Sequence, residues 1–147
     1  MDSTEFDDAD FSPGLLLWRV TNRWQAAQRS ALKPLGLTHV QFVLLASLAW
    51  LESDSPVTQK QLADHAATDV MMTSQVIRAL EGMGLVTRAP HPDDRRARAL
   101  VVTDDGRALA NRAIVVVERC DRDFFAPVAL NTAVLVRLLG ELAQPPG

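Results

Sequence analysis

Two segments of the chain carry the same helix-start pattern, a threonine followed three residues later by a glutamine. They are Thr38-His39-Val40-Gln41 and Thr58-Gln59-Lys60-Gln61. In such a capping box the threonine hydroxyl accepts a hydrogen bond from the N3 amide, while the glutamine side chain reaches back to the N-cap amide. The pattern predicts two helices close together in the chain, the first largely core and the second short.

A third helix and a hairpin are predicted directly after these two. Residues 69–83 show helical spacing of apolar side chains, with Asp69 as the cap and Gly84 as a left-handed stop. The β-prone runs 86–89 and Arg98–Val102 then flank a basic turn. Two short helices followed by a two-stranded ribbon form a winged helix-turn-helix, whose second helix lies in the major groove of DNA.

Apolar helices are predicted on both sides of this unit. Ser12-Pro13 starts the first helix, which ends before Gly36. A long helix begins at Thr103 and is broken by Pro127, and Asn131 can cap a last helix. The predicted fold class is mainly α with a small β-hairpin wing, in the order α-α-α-α-β-β-α-α.

The charge distribution permits a nucleic acid partner. The formal net charge is −3, but five acidic residues and no basic ones lie in the first ten positions, so the rest of the chain carries +2. A single cysteine, Cys120, indicates a reducing compartment. No apolar run reaches the roughly 18 residues of a membrane span, and no signal peptide is recognisable. We expect a cytoplasmic protein without a membrane partner.

The predicted reading helix presents side chains suited to base edges. Gln75 can pair with adenine N6 and N7, Ser74 can donate or accept, and Arg78 is placed for phosphate. Met71 and Met72 lie in the first turn, where they could touch thymine methyl groups. The alternative, that at least one methionine packs inward, is equally open.

The turn of the hairpin supplies the second group of candidate DNA contacts. Of Arg95, Arg96 and Arg98, one can enter a narrow minor groove while the others neutralise phosphates. Asp94 is expected to orient an arginine rather than to touch DNA. A basic turn is usually a solvated loop, but its position after a capped helix-turn-helix favours DNA binding.

Three residues at helix starts are candidate phosphate anchors. Thr38, Thr58 and Gln59 lie where backbone amides and the helix dipole favour an anion. Simple capping is their alternative role, and the two roles are compatible.

The chain resembles the MarR family of bacterial regulators. The motifs that carry the resemblance are Gly36-Leu37-Thr38, Gln61-Leu62-Ala63, Leu80-Glu81-x-x-Gly84-Leu85-Val86, and Asp94-x-Arg96 followed by Val102-Thr103 and Gly106. Val102 replaces the usual leucine, and Ser74-Gln75 replaces the threonine-arginine of many members. The resemblance implies a homodimer in which the first, fifth and sixth helices interlock and two winged helices bind a pseudo-palindrome.

With this resemblance, four domains are predicted. They are an acidic disordered tail (1–11), an N-terminal dimerisation helix (12–36), a winged helix-turn-helix DNA-binding domain (37–103) and C-terminal dimerisation helices (104–144). Members of the family commonly respond to small phenolic or other amphipathic ligands in a crevice between the dimerisation and DNA-binding parts. Trp18, His39, Phe42 and Trp50 are the candidates for that crevice, with core packing as the alternative for each aromatic residue.

Redox, metal and catalytic roles have less support. Cys120 lies far along the fifth helix, whereas peroxide sensors of this family usually carry the cysteine near the first helix. His39, His65 and His91 lack metal-ligand spacing, so we expect no metal and no cofactor. No phosphate loop or nucleophile elbow is present in the sequence, which indicates that the protein is not an enzyme.

Two functions remain at this point. The first is a sequence-specific, homodimeric DNA-binding regulator, a repressor of transcription relieved by a small effector and associated with the bacterial nucleoid. The alternative is a winged helix that serves as a protein-interaction or scaffold module without specific DNA binding.

Overall fold

The computed structural model describes residues 3–145 and confirms the predicted fold class and order of elements. Three short 3-10 helices, at Ala9–Phe11, Lys33–Leu35 and Ala126–Asn131, accompany the main elements. The main elements are α1 (Pro13–Leu32), α2 (His39–Leu51), α3 (Gln59–Ala66), α4 (Val70–Gly82), β1 (Val86–Pro90), β2 (Arg98–Val102), α5 (Asp104–Phe125) and α6 (Thr132–Ala143).

Local capping chemistry sets the start of most helices. In the first capping box the Gln41 amide donates to the Thr38 hydroxyl at 3.2 Å, and the Gln41 side chain accepts from the Thr38 amide at 3.0 Å. The second box, between Thr58 and Gln61, forms in the same way. The caps of α1, α4 and α5 also form, at Ser12, Asp69 and Thr103. Each cap satisfies a backbone donor that the helix itself leaves unpaired.

The turn between α3 and α4 is built around a residue in the left-handed region. Ala67 ends α3 with φ 52°. The next residue, Thr68, places its hydroxyl 2.7 Å from that of Thr73, which is fully buried in α4 and donates to the Asp69 carbonyl at 2.8 Å. These bonds fix the angle at which α4 leaves the turn.

The hairpin is tied to the loop before α3. Strands β1 and β2 are antiparallel, with Val86 opposite Val102 and Pro90 opposite Arg98. Leu100 of β2 also donates from its amide to the carbonyl of Val57 at 2.8 Å. The wing is therefore anchored to the helical part through its backbone as well as through its side chains.

The hydrophobic core centres on α2, which contacts α3, α4, α5 and β2. Gly106, in the first turn of α5, lies against the carbonyl oxygen of Leu85, and a Cβ atom there would collide with it. Glycine thus permits α5 to pack closely under the wing. The fully buried large apolar side chains are Leu32, Leu44, Leu45, Leu48, Leu62, Ile77, Leu80, Leu100 and Val86.

The start of α6 differs from the prediction. Asn131 forms no side-chain cap, because at the end of the preceding 3-10 helix it has φ −114° and ψ 20° rather than the extended conformation of a capping residue. The Thr132 hydroxyl instead donates to the carbonyl of Ala129 at 2.8 Å. The helix is nevertheless present over the predicted region.

Helix α6 has no buried residue. Apolar residues of α1 are exposed as well, including Leu17, Trp18 and Val20. The exposed apolar side chains of α6 are Val134, Val136, Leu138, Leu139 and Leu142. Several large apolar side chains exposed together on neighbouring helices indicate an interaction site.

The same region also resembles a membrane span by composition. An 18-residue window within Asp104–Ala143 has a mean hydropathy of 1.4, which corrects the expectation that no stretch would qualify. The segment Ala126–Asn131 interrupts the α-helix, and Val128 within it has φ −117° and ψ 20°. Such a break leaves backbone groups without partners in lipid. Burial against protein therefore explains the apolar surface better.

Part of the predicted acidic tail is folded against α1. Asp8 caps the 3-10 helix Ala9–Phe11, and Asp10 pairs with Arg19 at 2.7 Å. Asp2, another of the acidic residues, lies outside the described part of the chain.

Candidate nucleic-acid interface

Helix α4 has one buried side and one exposed side. Met71 and Met72 are 71 % and 46 % exposed, so neither is buried in the core. Gln75 and Arg78 are exposed beside them, and Ser74 is half-buried. The buried side chains that hold the helix in place are Thr73, Val76, Ile77 and Leu80. The structure thus brings all five candidate major-groove residues to the outer side of α4 or its edge.

The wing carries arginines whose charges are not neutralised locally. Arg95, Arg96 and Arg98 are exposed, and their guanidinium groups form no ion pair within residues 3–145. Asp94 accepts a hydrogen bond from the backbone amide of Arg96 at 2.9 Å. The carboxylate therefore shapes the turn through the backbone and leaves the Arg96 side chain available to a phosphate or a groove.

The candidate phosphate anchors lie at helix starts, as expected from their capping role. Thr38 is exposed, whereas Thr58 and Gln59 are half-buried. The two threonine hydroxyls accept from the helix amides, so each O–H proton remains able to donate. The Gln59 side-chain oxygen accepts from Arg88, which gives this residue a structural contact in addition.

Arg88 is a functional candidate that sequence reasoning missed. It lies on β1, donates from Nε to Glu81 at 2.9 Å and from Nη2 to the Gln59 oxygen at 3.0 Å. One side chain thereby joins β1 to α4 and α3. The opposite charges of Glu81 and Arg88 on either side of Gly84 could have indicated an ion pair between α4 and β1. Nothing in the sequence indicated the contact of Arg88 with Gln59.

Glu52 is a second residue that the sequence did not single out. At the end of α2, its carboxylate accepts from the Val102 amide at 3.1 Å and pairs with Arg107. The side chain is largely shielded from solvent. It connects α2 to the wing and to the first turn of α5.

The four candidate ligand residues are not brought together. Phe42 is 6 % exposed in the core, because α2 is covered by several other helices. Trp18 and Trp50 are 68 % and 75 % exposed and lie on separate helices. Only His39 lines the cavity of about 420 Å³ between α1, α2 and α4, and Met72 lines it too.

His39 is set in an aromatic and polar cluster. Its ring makes an edge contact with Trp24, with 4.8 Å between centroids. Burial lowers the pKa of His39; Asp121 partly opposes this shift, and Arg29 adds to it. Asp121, on α5, in turn accepts hydrogen bonds from two residues of α1.

Cys120 is half-buried, and its surroundings disfavour the reactive thiolate form. Burial raises the pKa of its thiol, and the nearby Asp121 and Asp123 carboxylates raise it further. Cys120 lines a cavity of about 480 Å³ between α1 and α5, together with Arg119 and Asp123. A raised pKa reduces the thiolate fraction that oxidation requires. No group of side chains suited to a metal ion is found among the described residues.

The capped helix-turn-helix, the exposed side of α4 and the basic hairpin define a winged helix-turn-helix DNA-binding protein. The MarR family profile matches residues 37–97. The chain is 41 % identical over 124 residues to the uncharacterized HTH-type transcriptional regulator YdcH of Bacillus subtilis, covering 84 % of each protein. The chain belongs to the MarR family and is a DNA-binding transcriptional regulator.

Two other relatives are informative. The HTH-type transcriptional repressor Rv2887 of Mycobacterium tuberculosis is 39 % identical over 115 residues, or 77 % of this chain and 80 % of that protein. Its structure in complex with salicylic acid has a TM-score of 0.69 over 93 % of this chain and 98 % of that one, at 35 % identity. CouR from Rhodococcus jostii RHA1, bound to p-coumaroyl-CoA, has a TM-score of 0.83 at 26 % identity, covering 97 % and 99 %.

Proposed function

We propose that the protein is a homodimeric repressor that binds a pseudo-palindromic operator with α4 in the major groove and the wing along the minor groove. The observation that carries this proposal is the pairing of an exposed α4 face with wing arginines that have no acidic partner in residues 3–145. Gln75 and Ser74 would read base edges, with Met71 and Met72 against thymine methyl groups and Arg78 on phosphate.

The uncovered apolar helices support a dimer. A helix whose apolar side chains all remain in water contributes little to folding, since burial of apolar surface is the main stabilising term. A second copy that covers α6 and the exposed part of α1 would supply that burial. In the proposed arrangement residues 12–36 and 104–144 hold two DNA-binding parts, 37–103, on half-sites about 34 Å apart.

The relatives support regulation by a small amphipathic ligand. Rv2887 is named a repressor and has been crystallised with salicylic acid, and CouR with p-coumaroyl-CoA. In this chain the cavity beside His39 is also lined by Arg29 and Met72. A ligand there would touch the first turn of α4, so its binding would change the position of the reading helix. We place the repressor in the cytoplasm, on the nucleoid.

A salt titration of DNA binding tests this function. The DNA flanking the protein's own gene is the first probe, with affinity measured as a function of salt concentration. Arg96→Ala is expected to weaken binding and to reduce the salt slope by about one unit, because one phosphate contact is lost. Arg112→Ala, on the exposed side of α5, removes the same charge away from the wing; once the variant is confirmed as a dimer, it should leave the slope unchanged.

The alternative function gives a different result. A protein-interaction or scaffold module would show no specific binding and no change of slope with Arg96→Ala. If the wild-type protein, confirmed as a dimer, binds no DNA at low salt, the repressor proposal is wrong.

A further inference from the structure

Arg88 sits at the junction of three elements that face DNA in the proposed function. Its guanidinium group bridges Glu81 at the end of α4 and Gln59 at the start of α3, while its backbone belongs to β1. Glu81 and Arg88 are each about one-third exposed. The Glu81–Arg88 ion pair is therefore partly shielded from solvent. Hydrogen bonds to Glu81 and Gln59 hold the Arg88 guanidinium group in place.

The chemistry of arginine fixes the orientation of the Gln59 amide. A guanidinium group has donors only, so the amide oxygen must face Arg88 and the amide nitrogen must face away from it. No side chain or carbonyl within residues 3–145 accepts from that nitrogen. The Gln59 N–H groups are thus directed by Arg88 but remain unpaired in the free protein.

We propose that Arg88 is a positioning residue for DNA binding, which orients the Gln59 amide so that its nitrogen donates to a backbone phosphate. The inference rests on the proposed function and adds a residue that acts through another one. Glu81 neutralises the arginine, so Arg88 contributes position rather than net positive charge. Lysine cannot replace it, because a single ammonium lacks the planar fork that reaches both partners.

A pair of charge-matched variants separates this contact from general electrostatics. Gln59→Glu keeps an oxygen for Arg88 but replaces the outward amide nitrogen with a carboxylate oxygen. Gln61→Glu adds the same charge two residues away, and glutamate retains the capping box. We expect Gln59→Glu to weaken operator binding about tenfold or more, and Gln61→Glu to weaken it by no more than about threefold. The melting temperatures of both variants should match the wild type.

A double-mutant cycle tests the positioning role itself. Arg88→Lys is expected to weaken DNA binding about threefold to tenfold in the wild-type background and to have no further effect when Gln59 is alanine. A role of Arg88 in folding alone would weaken both backgrounds equally and would lower the melting temperature.

The possible failures are distinguishable. Equal losses for Gln59→Glu and Gln61→Glu, with normal binding by the wild type, would overturn this inference and leave the repressor proposal intact. Absence of DNA binding by the wild type would overturn both.

Discussion

The indole Nε1 of Trp24 donates to Oδ1 of Asp121 at 2.8 Å and so joins the middle of α1 to the second half of α5. Gln28, fully buried one turn further along α1, donates to the same oxygen at 2.6 Å. One carboxylate oxygen thus holds two α1 side chains. Helices α1 and α5, which belong to the two proposed dimerisation regions, are thus held together within each chain.

Loss of this carboxylate should destabilise the protein. Asp121→Ala leaves the Gln28 amide nitrogen buried without an acceptor, while the Gln28 oxygen already has no hydrogen-bond partner among residues 3–145. We expect the free energy of unfolding to fall by about 1–3 kcal/mol. Urea denaturation at a fixed protein concentration measures the change, and Asp123→Ala, on the exposed side of α5, is the control. Equal effects of the two substitutions would contradict the prediction.

The pKa of His39 makes stability depend on pH. Burial, the largest cause, lowers this pKa below the ordinary value, and Asp121 only partly offsets it. The unfolded chain therefore binds more protons than the folded protein below about pH 6.5, so acid favours unfolding. The stability that the neutral ring provides is complete above that pH and is lost as the pH falls through it. His39→Gln removes the titration, so the wild type should lose more stability than this variant between pH 7.5 and 5.5 in urea denaturation.

The left-handed residue in the helix-turn-helix offers a stabilising substitution. Ala67 has φ 52°, a conformation that glycine adopts without strain. Ala67→Gly is expected to raise the free energy of unfolding by up to about 1 kcal/mol. Its neighbour Ala66 is helical and packs against the core, so Ala66→Gly should lower it by about 1 kcal/mol. Thermal melts of the two variants should shift in opposite directions, and a shared direction would count against the turn geometry.

Cys120 is expected to react slowly. Burial and the nearby carboxylates of Asp121 and Asp123 raise the pKa of the thiol, so little thiolate is present at neutral pH. The rate of alkylation by iodoacetamide should be lower than that of a free cysteine at pH 7.5 and should rise only at higher pH. Asp123→Asn removes one of the causes and should increase the rate. Release of DNA by peroxide in the wild type but not in Cys120→Ser would contradict this prediction.

The sequence was most informative where a local rule determines the structure. Both capping boxes, the Asp69 cap and the left-handed Gly84 are satisfied within a few residues, so neighbouring letters suffice to predict them. The prediction that Asn131 caps α6 was wrong, because the conformation of the chain before it is not set by the cap pattern. Asn131 ends a 3-10 helix that begins at Ala126 and contains Pro127, and the residues of a cap pattern do not reveal such a segment.

Contacts between distant elements could not be predicted in this way. Helical spacing shows that Phe42 lies on an apolar side of α2, but α2 is covered on several sides, so the spacing does not tell core from crevice. Arg88 is 29 residues from Gln59 in the chain, and they meet only because both α3 and β1 pack against α4. The DNA-contact roles of Gln75 and Arg96 stay predictions until binding is measured.

Helix α6 has no interior of its own, since none of its residues is buried within the chain. In the proposed dimer its apolar side chains are buried only against the second copy, so association is what stabilises the helix. Dilution would then destabilise the protein, and its melting temperature would rise with protein concentration. The amount of repressor in a cell would thus set, at the same time, how much of it is folded and how fully the operator is occupied.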